Sequence, residues 1–437
     1  MTTKLTAVLR HRDFALLWLG QSVSYAGDGI FTVALALEAL RLDHQPGGLA
    51  LVLAARLIPT VCLLLVGGMV VDRVPRRLAM LASDVVRGVA VGTIAVLRLQ
   101  GDLHLSGLVV MSVVFGVADA FFTPAATALV PELLPAELLV QGNAASSTSQ
   151  HFAQRLVGPA VGGVIVASIG ASWSFGFDAA TFAVSAVCLV AMRIRSVPAA
   201  TGRSPLADAV EGLRYVCSQR WLWVTIVGSG LANFAAFSPG AVLVPLMVSQ
   251  VLHGGALALG WVLAAGGVGA IVATVATGRR GQPRHQISAM WASWVLAGVV
   301  TLVVAVAPNL WVLGVLVGAR FALLAYGNVL FTPLLQKLVP HQLLGRAASV
   351  DWLLSFGVSP IGILAAGALA TAVGIRTTIL VGGIVAVMSG PLLLLRGVRD
   401  PERQPALPDP AHPLQHSDGG DYQQGDRYQA DHRSQPG

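Results

Sequence analysis

The sequence predicts an all-α membrane protein in which twelve transmembrane helices form two six-helix halves. Three observations lead to this fold class. Of the 437 residues, 55% are hydrophobic and only 11% are charged, whereas about 25% are charged in an ordinary soluble domain. Largely uncharged runs recur along the chain, and each has about the 20 residues that a spanning helix needs. Finally, a pattern within residues 122–160 recurs within residues 331–360.

The charge balance is basic, with a formal net charge of +7 and a pI near 9.9. Such values are typical of nucleic-acid-binding domains. Here, however, the basic residues lie between the apolar runs and not along one face, so we predict no nucleic-acid partner. The cysteines lie in or beside apolar segments without disulfide or metal-site spacing, so we predict no metal and no redox role for them: Cys62, Cys188 and Cys217.

The twelve predicted spans are apolar segments of about 20 residues or more. The first follows a short basic stretch at residues 1–12 and is too long for a signal peptide. We therefore predict that it is an uncleaved span. The spans are predicted at residues 14–40, 49–71, 78–98, 105–128, 147–169, 173–192, 222–250, 257–278, 287–307, 310–335, 347–373 and 377–396.

Lysine and arginine are distributed unequally between the two sets of connecting loops. Sixteen lie in one set, whereas the other set holds only Arg41, Arg98 and Arg376. Positively charged residues near the ends of spans remain in the cytoplasm. We therefore predict a multi-pass protein of the cell inner (plasma) membrane with both termini cytoplasmic.

The longest loop separates six predicted spans from the next six. It is rich in Pro, Ser, Gly and Arg and contains a short amphipathic segment at residues 206–216. The end of the chain is rich in Pro, Gln, Asp, Gly and His and has little to bury. The predicted domains are an N-terminal six-helix half at 1–193, a cytoplasmic linker at 194–220, a C-terminal six-helix half at 221–396 and a disordered cytoplasmic tail at 397–437.

The two predicted halves repeat one another in sequence. Phe-Thr-Pro at 122–124 is followed by Leu-Val-Pro at 129–131, and the same tripeptides occur at 331–333 and 338–340 with the same spacing. The similarity indicates a duplicated six-span unit.

The turn between the second and third spans is charged. A basic cytoplasmic turn explains its arginines, and its aspartate can cap the next helix. The spacing of glycine and aspartate, however, resembles the loop signature of the major facilitator superfamily, although Pro75 stands where that family usually has glycine. The matching residues are Gly68, Asp72, Arg73, Arg76 and Arg77. The resemblance implies that Asp72 and Arg73 act in a cytoplasmic latch.

The fifth span contains Gly158, Pro159, Gly162 and Gly163. Glycines four residues apart share one face of a helix and allow another helix to approach closely, while proline bends the helix. This segment also resembles the antiporter motif of the same superfamily, which is associated with exporters. The resemblance therefore favours export.

Over residues 10–396 the chain resembles the bacterial branch of the superfamily that contains the enterobactin exporter and macrolide efflux proteins. The resemblance also rests on Gly20-Gln21, Gly27-Asp28, Arg56 with Pro59, and residues 118–125. It implies the major facilitator fold, with a substrate site between two parallel halves. It further implies a secondary active transporter, a proton-coupled antiporter that exports a small apolar molecule such as a drug, macrolide, siderophore or secondary metabolite by alternating access. The expected energy source is the proton gradient, with no cofactor, and we expect the monomer to be functional.

Acidic residues inside the spans are the candidates for proton coupling, because a charge at the centre of a span costs about 2.5–3.5 kcal/mol on insertion scales. Asp28 is the leading candidate, and Asp119 and Asp178 are the others. Alternatively, Asp28 pairs with an arginine or caps a helix that is broken at Gly27 and Gly29. The other two aspartates can equally neutralise intramembrane arginines, namely Arg56, Arg155 and Arg320.

Other polar residues in the spans have simpler interpretations. Asp84 and Arg87 lie three residues apart on one helical face, which predicts a local ion pair. Asn233 and Asn328 can line a central cavity or pack between helices.

Two other functions stay open at this point: a proton-coupled importer on the same fold, and a non-transporting membrane sensor. The sequence contains no phosphate-binding loop, zinc-type histidine cluster or nucleophile elbow. We therefore predict that the protein is not an enzyme.

Overall fold

The computed structural model describes residues 7–71, 73–193, 205–340, 342–395 and 398. Residues 1–401 form one compact unit, and residues 402–437, which contain most of the predicted tail, lie outside the described residues. Most of the predicted linker, residues 194–204, also lies outside them. The described residues form helices, turns and short connections, with no strand among them.

Twelve helices in the described part of the chain are long and apolar enough to cross a membrane, which confirms the predicted number. We label them α1 to α12 in chain order. Their bounds are Arg12–Leu42, Pro46–Val71, Arg76–Gln100, Leu105–Leu133, Ala136–Ile169, Ala171–Ala191, Arg220–Val251, Ala256–Arg280, Gln286–Val304, Leu310–Leu338, Leu344–Val373 and Ile375–Leu394.

Helix α5 differs most from its predicted span. It begins at Ala136, well before residue 147, where the apolar run begins. Its first turns are rich in polar residues such as Gln141 and Asn143, so a search for apolar segments does not find them. The exposed Ser147 and Thr148 line a cavity. A helix that faces such a cavity does not need to be apolar on every side.

Helix α1 is continuous from Arg12 to Leu42. The alternative of a helix broken at Gly27 and Gly29 is therefore wrong. The glycines instead allow neighbouring helices to approach, because a Cβ on Gly29 would lie only 2.7 Å from Cα of Gly158 in α5. This close packing offsets the roughly 1 kcal/mol that glycine costs inside a helix relative to alanine.

The basic turn between α2 and α3 is shorter than predicted. Gly68 lies inside α2, and Asp72 lies outside the described residues. Arg73 is exposed in the turn. Arg76 begins α3, donates to the Ala128 carbonyl at 2.9 Å and forms an ion pair with Glu132 near the end of α4. We call the side of the bundle that carries residues 73–77 the arginine-rich face.

The linker contains the predicted amphipathic helix, at Pro205–Ser218. This linker helix packs on the start of α11, where Glu211 forms an ion pair with Arg346. The hydroxyl of Tyr215 donates to the Leu338 carbonyl at 3.4 Å, and partial burial raises the pKa of this phenol. The linker helix is therefore held against the last six helices at the arginine-rich face. The predicted domain boundaries themselves stay a prediction.

The buried apolar residues form three large clusters. On the face opposite the arginine-rich face, one cluster joins residues from both the first and the last six helices, including Phe31, Phe175, Val242 and Leu313. Near the arginine-rich face, a second cluster around Trp291 belongs to the last six helices and the linker helix. A third, separate cluster there belongs to the first six helices and includes Phe14, Met80, Phe122, Leu129 and Leu189.

The first and last six helices meet mainly along two helix pairs, α5 with α8 and α2 with α11. A Cβ on Gly163 of α5 would lie 2.9 Å from Cα of Gly260 in α8, so the two helix backbones are in close contact. On the opposite face, the side-chain amide of Gln250 donates to the His44 carbonyl at 2.7 Å. The structure is therefore closed on that face.

Candidate functional site

Asp28 lies near the middle of α1 and is only 5% exposed. Its Oδ1 atom lies 3.9 Å from Nη2 of Arg56 in α2 and accepts no hydrogen bond from the described residues. The carboxyl therefore does pair with an arginine, but only loosely. A buried oxygen without a hydrogen-bond donor is costly to keep ionised, so this carboxyl is suited to binding a proton.

Asp178 of α6 is fully buried and contacts Gly27, the residue before Asp28. The Thr181 hydroxyl lies 3.4 Å from its Oδ1 atom, while its Oδ2 atom has no hydrogen-bond partner. No arginine of the described chain lies within 4 Å of it. Two carboxyls buried side by side repel one another when both are ionised. Asp178 therefore adds a second buried carboxyl, without an arginine partner among the described residues, beside the segment of α1 that carries Asp28.

Arg87 of α3 lies at the centre of a second group of charges and is 2% exposed. Its Nη2 atom donates to Oδ1 of Asp84 at 2.5 Å, which confirms the predicted ion pair. Its Nη1 atom lies 3.4 Å from Oδ1 of Asp119 in α4. The hydroxyl of Ser185 in α6 donates to the other oxygen of Asp84 at 2.7 Å. Asp119 thus neutralises Arg87. The ion pair predicted from the sequence joined Arg87 only to Asp84.

An aromatic ring connects the two groups of charges. The Arg56 guanidinium lies 4.2 Å from the centroid of Phe115, and the Arg87 guanidinium lies 5.8 Å from the same centroid. Both distances allow attraction between a cation and the face of an aromatic ring. The first six helices therefore contain one continuous network, which extends from Asp28 through Phe115 to Asp119.

The glycines of α5 lie where that helix contacts α1 and α8. A Cβ on Gly158 would lie 2.6 Å from Cα of Gly29, and one on Gly162 would lie 2.9 Å from Cα of Ile30. Pro159 and Gly163 face Gly260 of α8. The packing that the glycine spacing predicts is therefore present, and it places α5 between the charge network and α8. The antiporter role of these residues stays a prediction.

A cavity of about 800 Å³ lies in the half of the bundle nearer the arginine-rich face. It is formed by α5 and by α7 to α12. Aromatic and aliphatic side chains form most of its wall. The polar and charged side chains in the wall are Ser147, Thr148, His151, Arg155, Ser229, Asn233, Ser238, Thr274, Asn328, Thr332, Arg320, Asp351, Ser355 and Ser389.

The cavity contains Arg155 and Arg320, two of the three arginines predicted as partners of Asp119 and Asp178. No carboxylate of the described residues lies within 4 Å of Arg155 or Arg320, whereas Arg56 pairs with Asp28. Asn233 and Asn328 line the cavity as well. Asp351 was not predicted as a site residue, although an acidic residue inside the predicted eleventh span is the same signal that identified Asp28.

Residues 3–416 match a family model described as transmembrane secretion effector. The chain belongs to this family. The chain is also similar to named transporters along most of its length. It is 27% identical over 388 residues to the multidrug efflux pump Tap of Mycolicibacterium fortuitum, and the match covers 85% of this chain and 90% of the pump.

A second relative of the chain is the enterobactin exporter EntS of Salmonella typhi. It is 24% identical over 405 residues, and the match covers 90% of this chain and 94% of the exporter. A solved structure of a bacterial homologue of the human lysosomal transporter Spinster, in an inward-facing and unoccupied conformation, is similar with a TM-score of 0.68 at 14% identity. That match covers 91% of this chain and 99% of the other. The chain therefore has the major facilitator fold, as predicted, and is a membrane transporter and not an enzyme.

Proposed function

We propose that this transporter exports a small, largely apolar molecule in exchange for protons, by alternating access of its cavity to the two faces of the membrane. The observation that carries the proposal is the buried Oδ1 atom of Asp28, which has a loose arginine partner and no hydrogen bond. The efflux functions of the relatives Tap and EntS support export. The proposed energy source is the proton gradient, and the proposed transporting unit is the monomer.

The proposed orientation places the arginine-rich face and both termini in the cytoplasm, in the cell inner membrane. Positively charged residues near span ends support this orientation. In it, the cavity lies toward the cytoplasm and the large shared apolar cluster lies toward the outside. Substrate then enters the cavity from the cytoplasm, as an exporter requires.

Proton binding at Asp28 would neutralise the carboxyl and weaken its attraction to Arg56. Helix α1, which carries Asp28, is in close contact with α5 through Gly29 and Gly158. The same α5 lines the cavity with Arg155 and contacts α8 through Gly163. A change of charge at Asp28 can therefore act on the cavity through two packed helices, since coupling follows contiguous contacts.

The test is uptake of a fluorescent apolar substrate into inverted membrane vesicles, with and without a proton gradient. We expect wild-type vesicles to concentrate the substrate only when the gradient is present. We expect Asp28→Asn to abolish this uphill uptake, because asparagine cannot exchange a proton. The matched control is Asp102→Asn, which removes the same charge from an exposed loop residue and is expected to leave uptake unchanged.

The remaining outcomes separate the alternatives. Unimpaired uptake in Asp28→Asn would move the proton site to Asp119 or Asp178. Uptake that does not depend on the gradient would refute proton antiport. Gradient-driven movement in the opposite direction would identify an importer, and the absence of any flux would favour a non-transporting sensor.

A further inference from the structure

Two arginines face the cavity without a carboxylate partner among the described residues. Arg155 projects from α5 and is exposed to the cavity, whereas Arg320 of α10 is only 3% exposed. A cation at the centre of a span costs about 2.5–3.5 kcal/mol on insertion scales, and such residues are usually paired. The neighbouring charge network follows this rule, since Arg56 and Arg87 both have aspartate partners. The cavity arginines depart from it.

The two guanidinium groups lie beside the same side chain, the ring of Phe321. The Cζ atom of Arg155 lies 5.9 Å from the centroid of that ring, and the Cζ atom of Arg320 lies 5.7 Å from it. The two arginines come from different groups of six helices, yet they contact the same aromatic side chain. They therefore form one positively charged patch beside an apolar surface.

Arg320 is held in position but is not satisfied. Its Nη2 atom donates to the Phe237 carbonyl at 3.0 Å, while its buried Nε atom has no hydrogen-bond partner. A guanidinium presents its donors in a planar fork that matches the oxygens of a carboxylate, sulfonate or phosphate. Part of the Arg320 fork therefore lacks an acceptor among the described residues.

Among the described residues, the cavity wall contains one carboxylate. It does not cancel the positive charge of the two arginines. Asp351 of α11 accepts a hydrogen bond from the Ser355 hydroxyl at 2.9 Å, and no arginine of the described residues lies within 4 Å of it. The imidazole of His151 contacts the Ser147 carbonyl at 2.7 Å. With two arginines and one aspartate, the cavity has an excess of positive charge.

We propose that the transported molecule carries one anionic group beside its apolar body, and that Arg155 and Arg320 bind this group while the aromatic wall holds the rest. The inference rests on the proposed function, because it names the class of molecule that the exporter takes. An anion between the two arginines supplies the missing counter-charge and accepts the free hydrogen bond of Arg320. The substrate class is thus an amphipathic carboxylate, sulfonate or phosphate.

The test compares two dyes that share one ring system, anilinonaphthalene sulfonate and the uncharged phenylnaphthylamine. Binding is measured by dye fluorescence with the purified full-length protein in lipid nanodiscs, without a proton gradient. We expect the wild type to bind the sulfonate about tenfold more tightly than the uncharged dye. A factor of this size corresponds to one hydrogen bond to a charged group. We expect this preference to fall about tenfold in Arg320→Gln and to fall also in Arg155→Gln.

The controls separate charge at this site from charge elsewhere. Arg376→Gln removes an exposed arginine at the start of α12 and is expected to keep the preference. Arg320→Lys keeps the charge but loses the planar fork, so we expect part of the preference to remain. The separate Arg155→Gln variant gives an answer even when Arg320→Gln fails to fold.

Equal binding of both dyes by the wild type, binding of neither, or a preference that survives both glutamine variants would overturn the proposal. A preference for the uncharged dye would do the same. Because binding is measured without a gradient, a failure of proton-driven export in inverted vesicles leaves this result intact. The two proposals can therefore fail independently.

Discussion

Replacing Arg87 by glutamine is expected to lower the free energy of unfolding by about 3–5 kcal/mol, the cost of removing one partner from a buried ion pair. Among the described residues, the variant leaves the fully buried Asp84 with only the Ser185 hydroxyl as a partner. It also removes a cation that lies 3.9 Å from the centroid of Phe122. The measurement is the fraction of folded protein during a denaturant titration in micelles.

The double variant Asp84→Asn with Arg87→Gln provides the decisive comparison. It removes both charges of the buried pair, so we expect it to be more stable than Arg87→Gln alone, because Asp84 no longer stays buried as an unpaired carboxylate. The control is Arg12→Gln, which removes the exposed partner of Asp13 and is expected to cost about 0–1 kcal/mol. A double variant that is no more stable than the single one would show that the charge pair is not the cause.

Replacing Gly163 by valine is expected to open the face opposite the arginine-rich face. A Cβ at this position would lie 2.9 Å from both the Ala256 carbonyl oxygen and Cα of Gly260 in α8, so the backbones must separate. Overpacking of this kind costs about 1–3 kcal/mol. A cost of that size shifts the ratio between the arrangement that is closed on this face and the arrangement that is open on it by about 5–150-fold.

The separation can be followed with spin labels on two exposed loops of that face, at Asp102 and Pro308, after replacement of the natural cysteines. We expect Gly163→Val to shift the measured distances to larger values. The matched control is Gly176→Val in α6, where an added Cβ meets nothing within 4 Å. An unchanged distance distribution in Gly163→Val would contradict the assignment of α5 and α8 as the closing contact.

Most of the fold follows from the sequence because a bilayer imposes a simple rule. A segment of about 20 apolar residues has to cross it as a helix, since no water satisfies an open backbone there. The rule fails at the start of α5, where the turns before residue 147 carry polar residues such as Gln141 and Asn143. The same rule cannot find polar helical turns of this kind.

The site was predictable only where its contacts are local. Asp84 and Arg87 lie one helical turn apart, so their spacing predicts their ion pair. Asp119 reaches Arg87 across two helices, and Asp28 reaches Arg56 in the same way. Such pairings depend on how the helices are rotated against each other, which one sequence does not specify. For the same reason, the unpaired state of Arg320 emerged only from the structure.

The apolar cluster that joins the first and last six helices has a consequence for temperature. In the proposed cycle, this cluster has to part and admit water whenever the opposite face opens. Exposure of apolar surface to water raises the heat capacity, and its free-energy cost becomes smaller on cooling. The two clusters near the arginine-rich face are separate in the described arrangement, so the shared cluster is the apolar contact that opening of the opposite face breaks. Cooling is therefore expected to shift the protein toward the outward-opened arrangement without any ligand.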